Sequence, residues 1–167
     1  MARVTIQNHY QYCHVDVPGW KLGWTWANDE AIMSMSGAFA TQRGNRSSFK
    51  DQVPHSCKKD PNIVDLMLDV LWENKSDNCC RGGLLAAWAI NPVASFSSFE
   101  MIIGDTNNVQ APKSLTLMAP GPGYTCGQLE DTDPTVSSDI GGRRQVQVFS
   151  EYALNQHGNP HVLIPVF

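Results

Sequence analysis

The chain is poor in charge and has no excess of positive charge. Only 17% of its 167 residues are charged, the formal net charge is −4, and the pI is about 5.6. These values exclude a nucleic-acid-binding protein that works through a basic face. No apolar run approaches the roughly 20 residues that a membrane-spanning helix needs. The first residues, 1–5, show no apolar signal-peptide segment.

Motifs of familiar enzymes are also missing. Neither G-x-S-x-G nor H-E-x-x-H occurs. The carboxylate pair at 29–30 fits a solvated turn, and the pair at 130–131 has no apolar flank to raise a pKa. The glycines at 121–123 enclose a proline and lack the donors of a phosphate loop. A glycoside hydrolase would need two carboxylates about 5–10 Å apart across a cleft. We therefore predict no catalytic residue and no cofactor.

Cysteines are few and odd in number, at positions 13, 57, 79, 80 and 126. A zinc site would have to use His55, Cys57, Cys79 and Cys80. The C-x2-C spacing is absent, and adjacent ligands seldom suit a tetrahedral ion, so we expect no metal. Asn45 and Asn74 begin N-x-[ST] sequons and are the predicted glycosylation sites, which is compatible with secretion.

Turn-forming residues are abundant, with 13 glycines and 10 prolines spread through the chain. Between them, short runs of β-branched and aromatic residues are typical of strands. The predicted strands are 3–7, 20–26, 84–90, 95–103, 114–118 and 144–149, with one helix predicted at 62–73 from a 3.6-residue apolar repeat. The fold class predicted is all-β, a single-domain β-sandwich with irregular Gly/Pro-rich loops.

Aromatic residues suggest two alternatives for the strand at 20–26. Trp20, Trp24 and Trp26 share one face, with Tyr10 and Tyr12 just upstream. Exposed rings spaced along a strand could stack on the apolar C–H faces of sugars and would suit a linear polysaccharide. Alternatively, the face is core: Leu22 lies on it too, which indicates that at least Trp24 points into the core. The sequence leaves both alternatives open.

Four segments resemble the plant COBRA family. They are YQYCHVDVPGWKLGWTW at 10–26, VPHSCK at 53–58, CCRGG at 79–83 and PGPGYTCG at 120–127. The resemblance runs in order over residues 2–149, which would form a COBRA-like domain whose N-terminal part resembles a cellulose-binding module.

The resemblance implies a non-enzymatic plant protein at the extracellular face of the plasma membrane and in the cell wall. It implies binding to cellulose or a related glucan, and a role in cellulose microfibril deposition and oriented cell expansion. By motif, the carbohydrate-binding residues would be Trp20, Trp24 and Trp26, with Tyr10 and Tyr12 as lesser candidates. Membrane association would come only through the family's GPI anchor, which this chain does not show. The alternative functions are an extracellular interaction module with buried tryptophans and a non-functional truncated product.

Departures from the family pattern affect the cysteines and the tail. The family typically has cysteine at the positions of Arg46 and Ser56 and arginine at Cys13. Loss of a native disulfide typically costs about 2–5 kcal/mol, so weaker folding is expected. The codons permitted for 157–167, read one frame away, can encode the family's usual Trp-x-x-Thr-Cys-Thr-Tyr-Ser stretch. We therefore predict that residues 150–167 are an aberrant, frame-shifted tail outside the fold.

Overall fold

Strands dominate the part of the chain that the structure describes. The computed structural model describes residues 1–104, 112 and 114–120 with their side chains, and the backbone of three further strands. The strands are β1 (Ala2–Gln7), β2 (Lys21–Thr25), β3 (Ala31–Ser36), β4 (Ala38–Ala40), β5 (Asn62–Asp65), β6 (Phe96–Gly104), β7 (Ser114–Met118), β8 (Thr125–Thr132), β9 (Gln147–Leu154) and β10 (Val162–Val166). Short 3-10 turns occur at Trp72–Asn74 and Pro92–Ala94.

Two antiparallel sheets are built from these strands, which confirms the predicted all-β sandwich. One sheet has the order β3-β6-β1-β10-β9-β8, and the other has the order β4-β5-β2-β7. In the first sheet, Val4 of β1 lies opposite Phe99 of β6. In the second, Leu22 of β2 lies opposite Ile63 of β5. These four residues are all buried, so the inner faces of both sheets form the core.

Alternation along β1 shows how the sequence selects the inner face. Ala2, Val4 and Ile6 are buried, whereas Arg3 is exposed and forms an ion pair with Glu100. Successive side chains of a strand point to opposite faces, so a polar residue at every second position leaves one apolar face for the core. The strand predicted at 3–7 is thereby confirmed, as are those at 20–26, 95–103 and 114–118.

Two sequence predictions of local structure are wrong. Residues 62–73 are not a helix, because Asn62–Asp65 is a strand whose Ile63 lies between β2 and β4. Residues 84–90 are not a strand. Only Leu85 forms a bridge, with Val15, and the backbone amides of Ile90 and Asn91 both donate to the carbonyl of Ala87 (3.1 and 3.0 Å), which turns the chain.

The C-terminal segment contains strands on both sides of the predicted boundary at Phe149. β9 crosses that boundary, and β10 pairs antiparallel with β1 through Thr5 and Leu163. The backbone of these two strands therefore lies within the first sheet. The frame-shifted origin of residues 150–167 stays a prediction.

Candidate functional site

The indole side chains of β2 and its flanks lie in the core. Trp20, Trp24 and Trp26 are 1%, 4% and 1% exposed. The Trp20 ring stacks on Phe99 of the opposite sheet at a centroid distance of 6.0 Å, and Trp24 meets Trp26 edge to face at 5.3 Å. Of the two alternatives for this strand, the structure therefore has the buried one. These three residues therefore do not form the exposed carbohydrate platform that the family resemblance implied, because their rings fill the space between the sheets.

Exposed aromatic rings occur instead where two loops meet. Tyr12 is 75% exposed and Trp88 is 42% exposed, and the imidazole of His9 stacks on the Trp88 indole at 6.0 Å with an interplanar angle of 27°. Tyr10 is half-buried, and burial, followed by the influence of Cys13, raises the pKa of its hydroxyl. We call His9, Tyr10, Tyr12 and Trp88 the aromatic surface.

Backbone hydrogen bonds hold the two loops of the aromatic surface together. The amide of Trp88 donates to the carbonyl of Tyr10 (2.7 Å), and the amide of Ala89 donates to Gln11 (3.1 Å). Further along, Val15 and Leu85 exchange two hydrogen bonds of 2.8 and 3.1 Å. This ladder fixes the position of Trp88 relative to the tyrosine segment.

The side chain of Asn8 connects the same two loops from the interior of the domain. Its side chain is buried and donates through Nδ2 to the carbonyls of Cys13 (2.7 Å) and Ala86 (3.0 Å). Its Oδ1 accepts from the amide of Tyr10 at 3.1 Å. Because buried polar groups are costly when unpaired, these three bonds make Asn8 the internal support of the aromatic surface.

A buried carboxylate organises the CCRGG segment at 79–83. Asp65 accepts hydrogen bonds from the backbone amides of Cys80 (2.8 Å), Arg81 (3.0 Å) and Gly83 (2.9 Å). Cys79 and Cys80 are bonded to each other as a vicinal disulfide, and Cys80 has a positive φ of 74°. The segment is therefore a tight loop fastened to the end of β5.

The same loop packs against the Pro-Gly-Trp segment at 18–20. Gly19 has a φ of +85°, and a Cβ on it would lie 2.2 Å from the carbonyl oxygen of Gly82. The amide of Trp20 donates to the carbonyl of Gly83 at 3.0 Å. Two of the motifs identified in the sequence thus form one structural contact, which places Trp20 in the core.

The residues considered for zinc have other roles in the structure. His55 Nε2 accepts from the amide of Ala40 (3.0 Å), and burial, followed by Arg43 and Arg46, lowers the pKa of His55. The thiol of Cys57 donates to the carbonyl of Asn45 at 3.1 Å. Within the ranges that the structure describes, no group of three or more His, Cys, Asp or Glu residues could hold a metal ion.

Sequence reasoning identified Tyr10 and Tyr12 but missed His9 and Trp88. The segment around Trp88 lacks the alternation that separates an inner from an outer face, so its indole could not be assigned to the surface. The predicted glycosylation residues Asn45 and Asn74 are both exposed. The motif at 120–127 lies largely outside the residues whose side chains are described.

Comparison with known proteins supports the resemblance read from the motifs. The family model of the COBRA N-terminal domain matches residues 1–155. The chain belongs to the COBRA family. It is 45% identical over 151 residues to COBRA-like protein 2 of Arabidopsis thaliana, covering 88% of this chain and 34% of the relative. It is also 45% identical to COBRA-like protein 1 of Oryza sativa subsp. japonica over the same shares, and 43% identical to Protein COBRA of Arabidopsis thaliana, covering 88% of this chain and 33% of that protein.

Membership of the COBRA family confirms the family prediction for this chain. The chain spans about a third of the length of the curated relatives it matches. No solved structure matches it. Among the described residues, no helix has the length and apolar composition needed to cross a membrane. The COBRA-like names of the relatives are not the names of enzymes.

Proposed function

We propose that the chain is a non-enzymatic cell-wall protein that binds cellulose or a related glucan and assists cellulose microfibril deposition and oriented cell expansion. Membership of the COBRA family supports this proposal. The proposed location is the extracellular face of the plasma membrane and the cell wall, with the family's GPI anchor as the only membrane attachment.

The exposure of the aromatic surface is the observation that carries the glucan-binding proposal. Tyr12 is 75% exposed and Trp88 is 42% exposed, and they lie on two loops that are hydrogen-bonded to each other. A β-linked glucan presents apolar C–H faces along its length, which pack on aromatic rings while hydroxyl groups stay hydrated or bind polar side chains. Gln11, exposed between the two tyrosines in sequence, would provide a side-chain amide for such hydroxyls.

Pre-organisation is a second reason to assign glucan binding to the aromatic surface and not to the tryptophans of β2 and its flanks. Backbone bonds and the Asn8 side chain fix both loops before any ligand arrives. Ligand binding then immobilises few additional rotamers, which favours affinity. By contrast, an indole of β2 would have to leave the core in order to meet a glucan.

Retention on microcrystalline cellulose tests the proposal. The soluble chain, refolded under oxidising conditions, is compared with Tyr12→Ala and Trp88→Ala, and each fold is checked by circular dichroism. We expect each substitution to weaken binding at least about fivefold, or about 1 kcal/mol. Phe39→Ala, which removes a 39% exposed ring from β4, is the matched control and retains binding.

Two outcomes would contradict the assignment. A folded wild-type chain that is not retained on cellulose would refute glucan binding. Retention that is equal for Tyr12→Ala, Trp88→Ala and Phe39→Ala would show that the aromatic surface does not contribute.

A second candidate function is an extracellular interaction module. The burial of Trp20, Trp24 and Trp26 favours it, because these side chains serve the core and leave binding to the loops. Its binding residues would lie in loops such as 79–83. A folded chain without cellulose retention is the outcome that favours this second candidate.

A further inference from the structure

A patch of large apolar side chains is exposed on the loop that follows β5. It consists of Met67, Leu68, Leu71 and Trp72, and we call it the 67–72 patch. Trp72 is 83% exposed, the largest exposed fraction among the large hydrophobic residues whose side chains the structure describes. Four exposed large apolar side chains within six consecutive residues are more than the single, scattered ones that a domain surface normally shows.

A predicted glycosylation site lies directly beside the patch. Trp72 and Asn74 belong to the same 3-10 turn, and Asn74 is the first residue of the sequon Asn74-Lys75-Ser76. The side chain of Asn74 is exposed. An aromatic ring therefore stands two residues before the amide nitrogen that would carry the sugar.

The sequon is tied to β6 and to the turn between β3 and β4. The carbonyl of Asn74 accepts from the amide of Gly37 (2.7 Å), and the hydroxyl of Ser76 donates to the carbonyl of Ser98 (2.6 Å). Within the turn, the amide of Lys75 donates to the carbonyl of Trp72 at 3.1 Å. A sugar attached here would therefore start from a fixed point next to the patch.

We propose that Asn74 carries an N-linked glycan whose first sugar rings pack on Trp72 and Leu71 and cover the 67–72 patch. In the attachment step, the Nδ2 atom of Asn74 forms a bond to the anomeric carbon of a lipid-linked oligosaccharide diphosphate. The bond from that carbon to the diphosphate oxygen breaks, the lipid diphosphate leaves, and the amide loses one proton. The inference rests on the extracellular location in the proposed function.

Charge and position favour a glycan over other coverings of the patch. Three exposed carboxylates, Asp69, Glu73 and Asp77, lie in or beside it, against one exposed cation, Lys75, whose Nζ donates to the carbonyl of Leu68 at 3.1 Å, so the net charge around the patch is negative. Carboxylates disfavour an anionic lipid surface, and a second copy of the same patch would bring like charges together. A neutral sugar is attracted by the apolar ring without meeting this repulsion, and its attachment point is already in place.

The second sequon of the chain provides a matched comparison. Asn45 is preceded at the same spacing by Arg43 instead of an aromatic residue. Its own Oδ1 accepts from the amide of Ser47 at 3.1 Å. A glycan on Asn45 would therefore extend into solvent without an aromatic ring at the equivalent position.

Secretion of the full chain behind a heterologous signal peptide in a glycosylating eukaryotic host tests the proposal. Occupancy of each sequon is measured by mass spectrometry after amidase digestion, which leaves aspartate at every site that carried a glycan. Melting temperatures are then measured for wild type, Trp72→Ala, Asn74→Gln and the double variant. Asn45→Gln is included in the wild-type and Trp72→Ala backgrounds.

We expect Asn74 to carry a glycan. In the chain that retains Trp72, this glycan should raise the melting temperature by about 2–4 °C. In Trp72→Ala this increase should fall to less than half, whereas the effect of the Asn45 glycan is the same in both backgrounds. An apolar-surface dye should bind more strongly to Asn74→Gln than to Asn45→Gln.

The inference is overturned if Asn74 is unoccupied, or if the Asn74 glycan shifts the melting temperature equally with and without Trp72. Cellulose retention is measured on the same samples. A chain that fails to bind cellulose but shows the coupling between Trp72 and Asn74 refutes the proposed function alone, and the reverse result refutes the glycan packing alone.

Discussion

The hydrogen bonds of Asp65 lead to a quantitative prediction for stability. Asp65→Ala removes the acceptor for three backbone amides, of which those of Cys80 and Gly83 are buried. A buried donor left without a partner costs about 1–3 kcal/mol, so the two buried amides together predict a loss of about 2–6 kcal/mol. The free energy of unfolding of a natural domain is about 5–15 kcal/mol, so this loss is large enough to threaten the fold.

A milder variant keeps the experiment interpretable. Asp65→Asn retains one carbonyl oxygen but turns an NH2 group toward an amide that also donates, so we expect a loss of about 1–3 kcal/mol. The control is Asp69→Asn, an exposed site expected to stay within about 0.5 kcal/mol of wild type. Urea unfolding followed by tryptophan fluorescence measures the free energies of unfolding. Equal values for Asp65→Asn and Asp69→Asn would refute the role assigned to Asp65.

Other substitutions test the glycine contact, the buried imidazole and the core. Gly19→Ala should lower the free energy of unfolding by about 2–6 kcal/mol, because its φ is positive and its Cβ would meet the Gly82 carbonyl. Gly104→Ala, which meets only the Met33 side chain, should cost less in the same urea titration. The pKa of His55 is lowered in the folded state from 6.5, so the unfolded chain takes up the proton first as the pH falls. The free energy of unfolding should therefore decrease as the pH drops below about 6.5. In His55→Gln, this part of the pH dependence of unfolding should disappear. Trp20→Ala should cost about 3–5 kcal/mol, and a loss below 1 kcal/mol would contradict its core position.

Strands with a simple alternating pattern were predictable from the sequence. In β1 and β7, apolar residues at every second position define one buried face, and the bounds agree closely with the structure. The structure of the segment at 62–73 was not predictable in this way. Its apolar spacing fits a helix, but the pairing of Ile63 with β2 and β4 makes its first part a strand. Pairing between distant segments is invisible in a local pattern.

The candidate site was predicted only in part for a related reason. Tyr12 was among the candidates, but Trp88 is brought near it by the hydrogen bond that its amide donates to the carbonyl of Tyr10, a residue distant from it in the chain. For Trp20, periodicity established a shared face but not which way that face points. The glycine contact at 19 and 82–83, which the sequence shows only as separate motifs, decides that Trp20 is core.

The support of the aromatic surface by Asn8 has a consequence for how temperature would affect binding. Asn8 holds both loops from inside the domain, and its amide also donates to the carbonyl of Ser95 at 2.7 Å, just before β6 begins. Local opening of these loops would break the hydrogen bonds of the buried Asn8 residue, so it should require far more free energy than the opening of an ordinary surface loop. The arrangement of Tyr12 and Trp88 should then stay intact on heating and be lost together with the fold, in a single cooperative transition.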